Sequence, residues 1–173
     1  FLQPRPENFS LIFFMLQLLV LEARRLDRLK LPDGAVLFSH IAFYAIWANL
    51  HAGFPVGLLL CACYGLAERW PSVRSSRVSP LAWAAVAVAG TCLNPYGPRL
   101  YTVLWAHWTD LSSLQSLINE WGAPKLGNLY LSGYWLLLLF ALAGFLVSVA
   151  QGVRVPAEHV LATVVFGVFA SRA

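Results

Sequence analysis

The chain has 173 residues, of which 59% are hydrophobic and 12% charged, and it carries a formal net charge of +4. A water-soluble domain ordinarily has about 25% charged residues, so the composition excludes an ordinary soluble surface and reads as an integral membrane protein. The positive balance does not point to nucleic acid, because the basic residues sit in short loops between apolar runs and not along one face.

The first residue is Phe1 and the last apolar run reaches almost to Ala173, which reads as a portion of a longer protein. No secretory signal pattern opens it. Apolar segments then follow at 9–23, 35–50, 54–68, 80–93, 131–151 and 157–171. Several are shorter than the ~20 residues that cross a hydrocarbon core, but short spans are tolerated inside a bundle.

The informative case is 35–68, which is interrupted by ANLHAGFPVG at 48–57. As one helix it would be about 50 Å long, well beyond a bilayer; broken near His51–Pro55 it gives two helices of about 25 Å. The loops decide between them. One cluster is Arg24, Arg25, Arg28 and Lys30, and the other is Arg69, Arg74 and Arg77. A single crossing would put the clusters on opposite sides of the membrane, whereas a hairpin puts both in the cytoplasm. The hairpin is therefore predicted. With Arg154 these make eight cytoplasmic cations of the twelve, and Arg5, Arg99, Lys125 and Arg172 face outward.

Beyond the fourth segment, 94–130 is predicted as an external loop. Leu100, Val103, Leu104, Trp108, Leu111, Leu114 and Ile118 recur at three- and four-residue steps, and Pro98 suits a first turn. An amphipathic helix over about 98–118, lying in the outer leaflet, is the expectation. The fold class expected is thus all-α: one transmembrane domain over 1–173, a polytopic bundle of about six helices with this interfacial helix outside.

Cys61, Cys63 and Cys92 all lie in apolar stretches. A Cys-x-Cys in a helix turns its thiols roughly 200° apart, so small buried hydrophobes are expected and neither a metal clamp nor a disulfide. His40, Tyr44, Trp47 and His51 share one helical face by their spacing and read as a bundle-facing aromatic seam. No Gly-rich phosphate loop, zinc-binding helix or Ser nucleophile elbow is present. No metal site is expected, and a divalent metal ion is the one cofactor left open.

The predicted topology gathers scattered polar motifs on one side of the membrane: RPENFS at 5–10, ANLHAGFPVG, NPYGPR at 94–99 and NEW at 119–121. Arg5, Glu7, Asn49, His51, Asn94, Tyr96, Arg99, Glu120 and Trp121 are therefore the candidates for one external cavity, since ionisable groups near lipid are costly unless paired or wet. Arg5 and Arg99 are either fork-like phosphate ligands or cations snorkelling to headgroups. His51 is either an acid/base group or phosphate donor, or a partner for a backbone carbonyl freed at the helix break. Glu120, the candidate for a catalytic carboxylate among them, contacts a sugar or is merely solvated.

The ordered set RPENFSLIFF, IWANLHAGFPVGLLL, TCLNPYGPRLY and INEW, spread over about 5–125, resembles bacterial polytopic proteins of the C-type glycosyltransferase superfamily. Their matching stretches look like RPQ-x-FS, W-x-N-x-HGGF, LNPYG and SEW. Ala52 stands where that pattern has the second residue of HGG, and the superfamily's usual catalytic carboxylate would lie before Phe1. The resemblance implies transfer of a sugar from a polyprenyl-phosphate carrier to an acceptor on the external face of the inner membrane, in the cell envelope. It further implies Arg5, His51 and Arg99 as ligands of the lipid phosphate or pyrophosphate, with Glu120 and Trp121 toward the sugar or acceptor. The partners it implies are membrane lipids and the lipid-linked sugar, with other membrane subunits allowed and nucleic acid excluded. The alternatives are a transporter or lipid flippase, whose site would lie at the midplane, and a non-catalytic scaffold subunit.

Overall fold

The computed structural model describes residues 7–28, 32–68, 79–109 and 132–172. Among them are seven α-helices: α1 (Glu7–Arg25), α2 (Asp33–Leu50), α3 (Phe54–Ala67), α4 (Pro80–Thr91), α5 (Leu100–Thr109), α6 (Ser132–Ala150) and α7 (Ala157–Arg172). A short 3₁₀ turn, Gly97–Arg99, leads into α5. The six long apolar segments of the sequence each became a helix with ends within a few residues of expectation.

Local chemistry sets several of those ends. Ser79 caps α4 by accepting from the Leu81 N–H at 3.2 Å, with Pro80 at the first helical position. Pro55 sits in the first turn of α3. Asp27 closes α1 at φ +56°, with Asp27 N–H on the Arg24 carbonyl and Arg28 N–H on the Ala23 carbonyl. That is a Schellman cap. Gly152 closes α6 the same way at φ +69°, through Gly152 N–H to Val149 and Val153 N–H to Ser148.

The chain divides into two compact units, Phe1–Ala106 and His107–Ala173. In the first, α4 packs on α2 and α3, and α1 packs on α3 and α2. Gly90 lets α4 meet α2 backbone to backbone: a Cβ there would stand 2.5 Å from the Ile41 carbonyl oxygen. Gly57 of α3 makes room in the same way for the Trp47 and Tyr44 rings. The apolar face of α2 is Val36, His40, Tyr44 and Trp47, all buried. Phe13 of α1 stacks on Trp47 at 5.4 Å between ring centroids and meets Phe43 edge-on at 5.0 Å. The aromatic seam read from the spacing is thus the core of this unit for His40, Tyr44 and Trp47, while His51 lies past the end of α2. In the second unit, Gly167 of α7 faces Leu138 of α6.

The polytopic transmembrane bundle is not what these helices form. Among the described residues, no helix is long and apolar enough to cross a membrane. The helices run from 10 to 19 residues, or about 15–29 Å at 1.5 Å per residue, against a hydrocarbon core of about 30 Å. One of the two 19-residue helices, α1, also carries Glu7, Glu22, Arg24 and Arg25. The expected amphipathic helix at 98–118 is found as the 3₁₀ turn followed by α5, ending at Thr109; residues 110–118 lie outside the described residues. Leu100, Tyr101 and Leu104 of α5 pack on the core around Tyr44, Trp47, Phe54 and Ala87, so the start of this helix is held by protein.

Candidate functional site

The start of α1, the end of α2, the start of α3 and the turn after α4 meet at one end of the first unit. Two long-range hydrogen bonds define the meeting. Ser10 Oγ lies 2.6 Å from His51 Nδ1, across 41 residues of sequence. The Asn49 side-chain amide donates to the Leu93 carbonyl at 2.8 Å, and to Ala45 within its own helix at 2.7 Å.

Around His51 the partners are specific. Trp47 Nε1–H donates to Ser10 Oγ at 2.9 Å, and Gly53 N–H donates to His51 Nδ1 at 3.1 Å. Gly53 is required for this close approach, since a Cβ on it would collide with the Ser10 side chain and stand 3.0 Å from His51 Nδ1. The sequence left open whether His51 answers a carbonyl freed at the helix break. It answers a freed N–H instead, one of the donors that every helix start leaves without an intrahelical acceptor.

The NPYGPR turn is self-supporting. Asn94 Oδ1 accepts from Tyr96 N–H at 2.7 Å, and Asn94 Nδ2 donates to Thr91 O at 2.5 Å and Gly97 O at 3.3 Å. Gly97 at φ +55° supplies the left-handed step. Tyr101 and Thr91 join by their hydroxyls at 2.6 Å, tying α5 to the end of α4. Burial pushes the Tyr101 phenol above its usual value, with the Thr91 hydrogen bond acting against it.

Asn49 and Asn94 therefore spend their side chains on backbone, which builds the site and leaves little of either for a ligand. Tyr96 is 66% exposed and Arg99 is exposed, the latter with no side-chain partner among the described residues. Glu7 opens α1, with its side chain outside the described residues; Arg5, Glu120 and Trp121 lie outside them altogether. Ser10, Trp47 and Gly53 are not among the site candidates read from the sequence, where Trp47 belongs to the aromatic seam and Gly53 to the helix break. Ser10 stands in RPENFS and the other two flank His51, but no periodicity pairs side chains 41 residues apart. Among the described residues, no group of three His, Cys, Asp or Glu could hold a metal ion.

A second polar group lies deeper, between α1, α2 and α3. Gln17 Nε2 donates to Cys61 Sγ at 3.1 Å, with Tyr44 OH at 3.9 Å and His40 Nε2 at 4.0 Å from the same sulfur. All four residues are buried. Burial pushes the Cys61 thiol up to about 12 and the Tyr44 phenol upward as well, so both stay protonated. The three cysteines are free thiols; Cys61 and Cys63 are buried as expected, whereas Cys92, expected to be buried too, is half-buried. Compared with known proteins, the chain matches no family model, no curated protein and no solved structure.

Proposed function

We propose that this chain acts in glycosyl transfer from a polyprenyl-phosphate-linked sugar to an acceptor, at the external face of a bacterial inner membrane, as its resemblance to the C-type superfamily implies. The observation that supports the reading is the meeting of motifs. Ser10 of RPENFS bonds His51 of ANLHAGF, and Asn49 of the same stretch bonds Leu93, next to NPYGPR. Three of the four stretches that carry the resemblance thereby share one end of one helical unit. Exposed apolar side chains on α1 (Leu11, Leu19) and on α6 (Leu137, Phe140) suit contact with the lipid that carries such a donor.

In this reading a carboxylate removes the proton of the acceptor hydroxyl. The acceptor oxygen bonds to the anomeric carbon as the bond from that carbon to the phosphate oxygen breaks, and the electron pair leaves on the polyprenyl phosphate. Arg99 and His51 stabilise the charge that grows on that phosphate. Glu7 and Glu120 are the carboxylates that lie nearest these motifs in sequence. The test is sugar transfer from a radiolabelled polyprenyl-phosphate donor by the chain in membranes. Arg99→Ala and His51→Ala are each expected to lower the rate by about 100-fold or more, the range for losing a charge-stabilising donor. Rates unchanged in both variants would overturn the proposal, and a chain with no transfer at all would favour the scaffold reading, which also accommodates the apolar exposure of α6.

A further inference from the structure

We infer that His51 is held as its neutral Nε2–H tautomer and works as a fixed hydrogen-bond donor to an anionic oxygen, with Ser10 as its positioning residue. The identity of the oxygen, a lipid phosphate, rests on the function proposed above; the state of the ring does not.

A backbone N–H can only donate, so Gly53 N–H at 3.1 Å requires a lone pair on His51 Nδ1. An indole N–H also can only donate, so Ser10 Oγ accepts from Trp47 at 2.9 Å. The Ser10 hydroxyl hydrogen is then free to point at Nδ1, 2.6 Å away. Both neighbours thus present hydrogens to the same nitrogen. A neutral imidazole with an unprotonated Nδ1 carries its hydrogen on Nε2.

Three consequences follow. Nε2 has no partner among the described residues, and His51 is part-exposed, so the N–H is open to a ligand. A donor of this kind fits an acceptor-only group such as a phosphate oxygen. It fits neither a general base nor a metal ligand, because each needs a lone pair on Nε2 and the only ring lone pair is already engaged at Nδ1. Ser10 and Trp47 are drawn from two different helices, α1 and α2, and fix the ring's rotation at the point where α3 begins. Packing Trp47 into the core, where it is fully buried, makes that orientation a property of the fold.

The test uses the full 173-residue chain in detergent micelles, with histidine ¹⁵N-labelled. The His51 resonances, assigned by their loss in His51→Gln, are expected to show a protonated Nε2 and an unprotonated Nδ1 at pH 7.5. A proton on Nδ1 would overturn the inference. Binding of farnesyl phosphate, a short polyprenyl phosphate, is the second arm. His51→Ala is expected to weaken it about tenfold, and His51→Gln, whose amide offers an N–H but no acid–base chemistry, to recover most of that loss. Equal losses in the two variants would sink the donor role. Ser10→Ala is expected to weaken binding about fivefold and to mix the two tautomers, and to lower the thermal melt because the buried Trp47 N–H loses its acceptor; an unchanged tautomer and affinity would remove Ser10 from the positioning role. If wild-type protein binds no farnesyl phosphate, the lipid-phosphate reading of the function falls, and the resonance pattern alone decides the state of His51.

Discussion

His40 shows how a single buried side chain couples the core to pH. It is 5% exposed, with the Tyr44 ring beside it on α2, the Trp83 ring of α4 at 5.0 Å and the Cys61 sulfur of α3 at 4.0 Å. Arg24 of α1 lies over the other contact of that stack, 4.3 Å from the Trp83 ring centre. Burial lowers the His40 pKa from 6.5 to about 4. The folded value lies below the unfolded one, so the unfolded chain binds the extra proton first as pH falls. Stability is therefore complete above pH 6.5, declines between 6.5 and 4, and levels off below. The loss approaches about 3 kcal/mol, from 1.36 kcal/mol per pKa unit. Thermal melts across pH 4–8 check this, with His40→Leu expected to flatten that window; a wild-type curve without the decline would refute it. Cys61 and Tyr44 do not titrate in the same range, because burial holds both protonated.

At the scale of elements, the same substitution is expected to act with opposite sign on two helices. A Cβ at Gly90 would lie 2.5 Å from the Ile41 carbonyl oxygen and 3.1 Å from its carbon and Cα, and backbone cannot rotate away as a side chain can. Gly90→Ala should therefore push α4 off α2 and cost about 1–3 kcal/mol, the range for overpacking a tight core. Gly144 in α6 has nothing within 4 Å of its would-be Cβ. Gly144→Ala should stabilise by about 0.5–1 kcal/mol, from helix propensity alone. Denaturant melts of both variants measure the pair, and a neutral Gly90→Ala would mean the two helices are not in backbone contact. Helix positions were legible because apolar runs, Pro55, Pro80 and the breaks between them are local signals. The α2–α3 break at His51–Gly53 was legible for the same reason. What was not legible is which glycines carry an interhelix contact. Gly90 and Gly144 sit in similar apolar runs, and only the packing of α2 against α4 separates them.

For the whole molecule, composition and geometry give different information. The low charge content foretold a surface short of polar cover, and large apolar side chains are indeed exposed along α1 and α6, Leu137 at 72% and Phe140 at 73% among them. Composition does not fix helix length or where the charged residues fall, however, and a membrane crossing requires a helix that is both long and apolar enough. The convergence of Ser10, His51, Asn49 and Leu93 rests on tertiary hydrogen bonds and needs no membrane crossing. The site's remaining expectations, Arg5, Glu120 and Trp121, lie outside the described residues and rest on sequence alone. An exposed apolar surface of this extent calls for a nonpolar partner, and with a net charge of +4 an anionic lipid surface satisfies both features. Flotation with vesicles containing phosphatidylglycerol is expected to carry the chain to the lipid fraction. Leu137 and Phe140 stand three residues apart on one face of α6, so Leu137→Asp with Phe140→Asp should cut that binding severalfold. Because both side chains are exposed, the melt of the second unit should not move. If the double variant floats as well as wild type, α6 is not the lipid-facing element; if it loses the melt as well, the face is covered by protein and not by lipid.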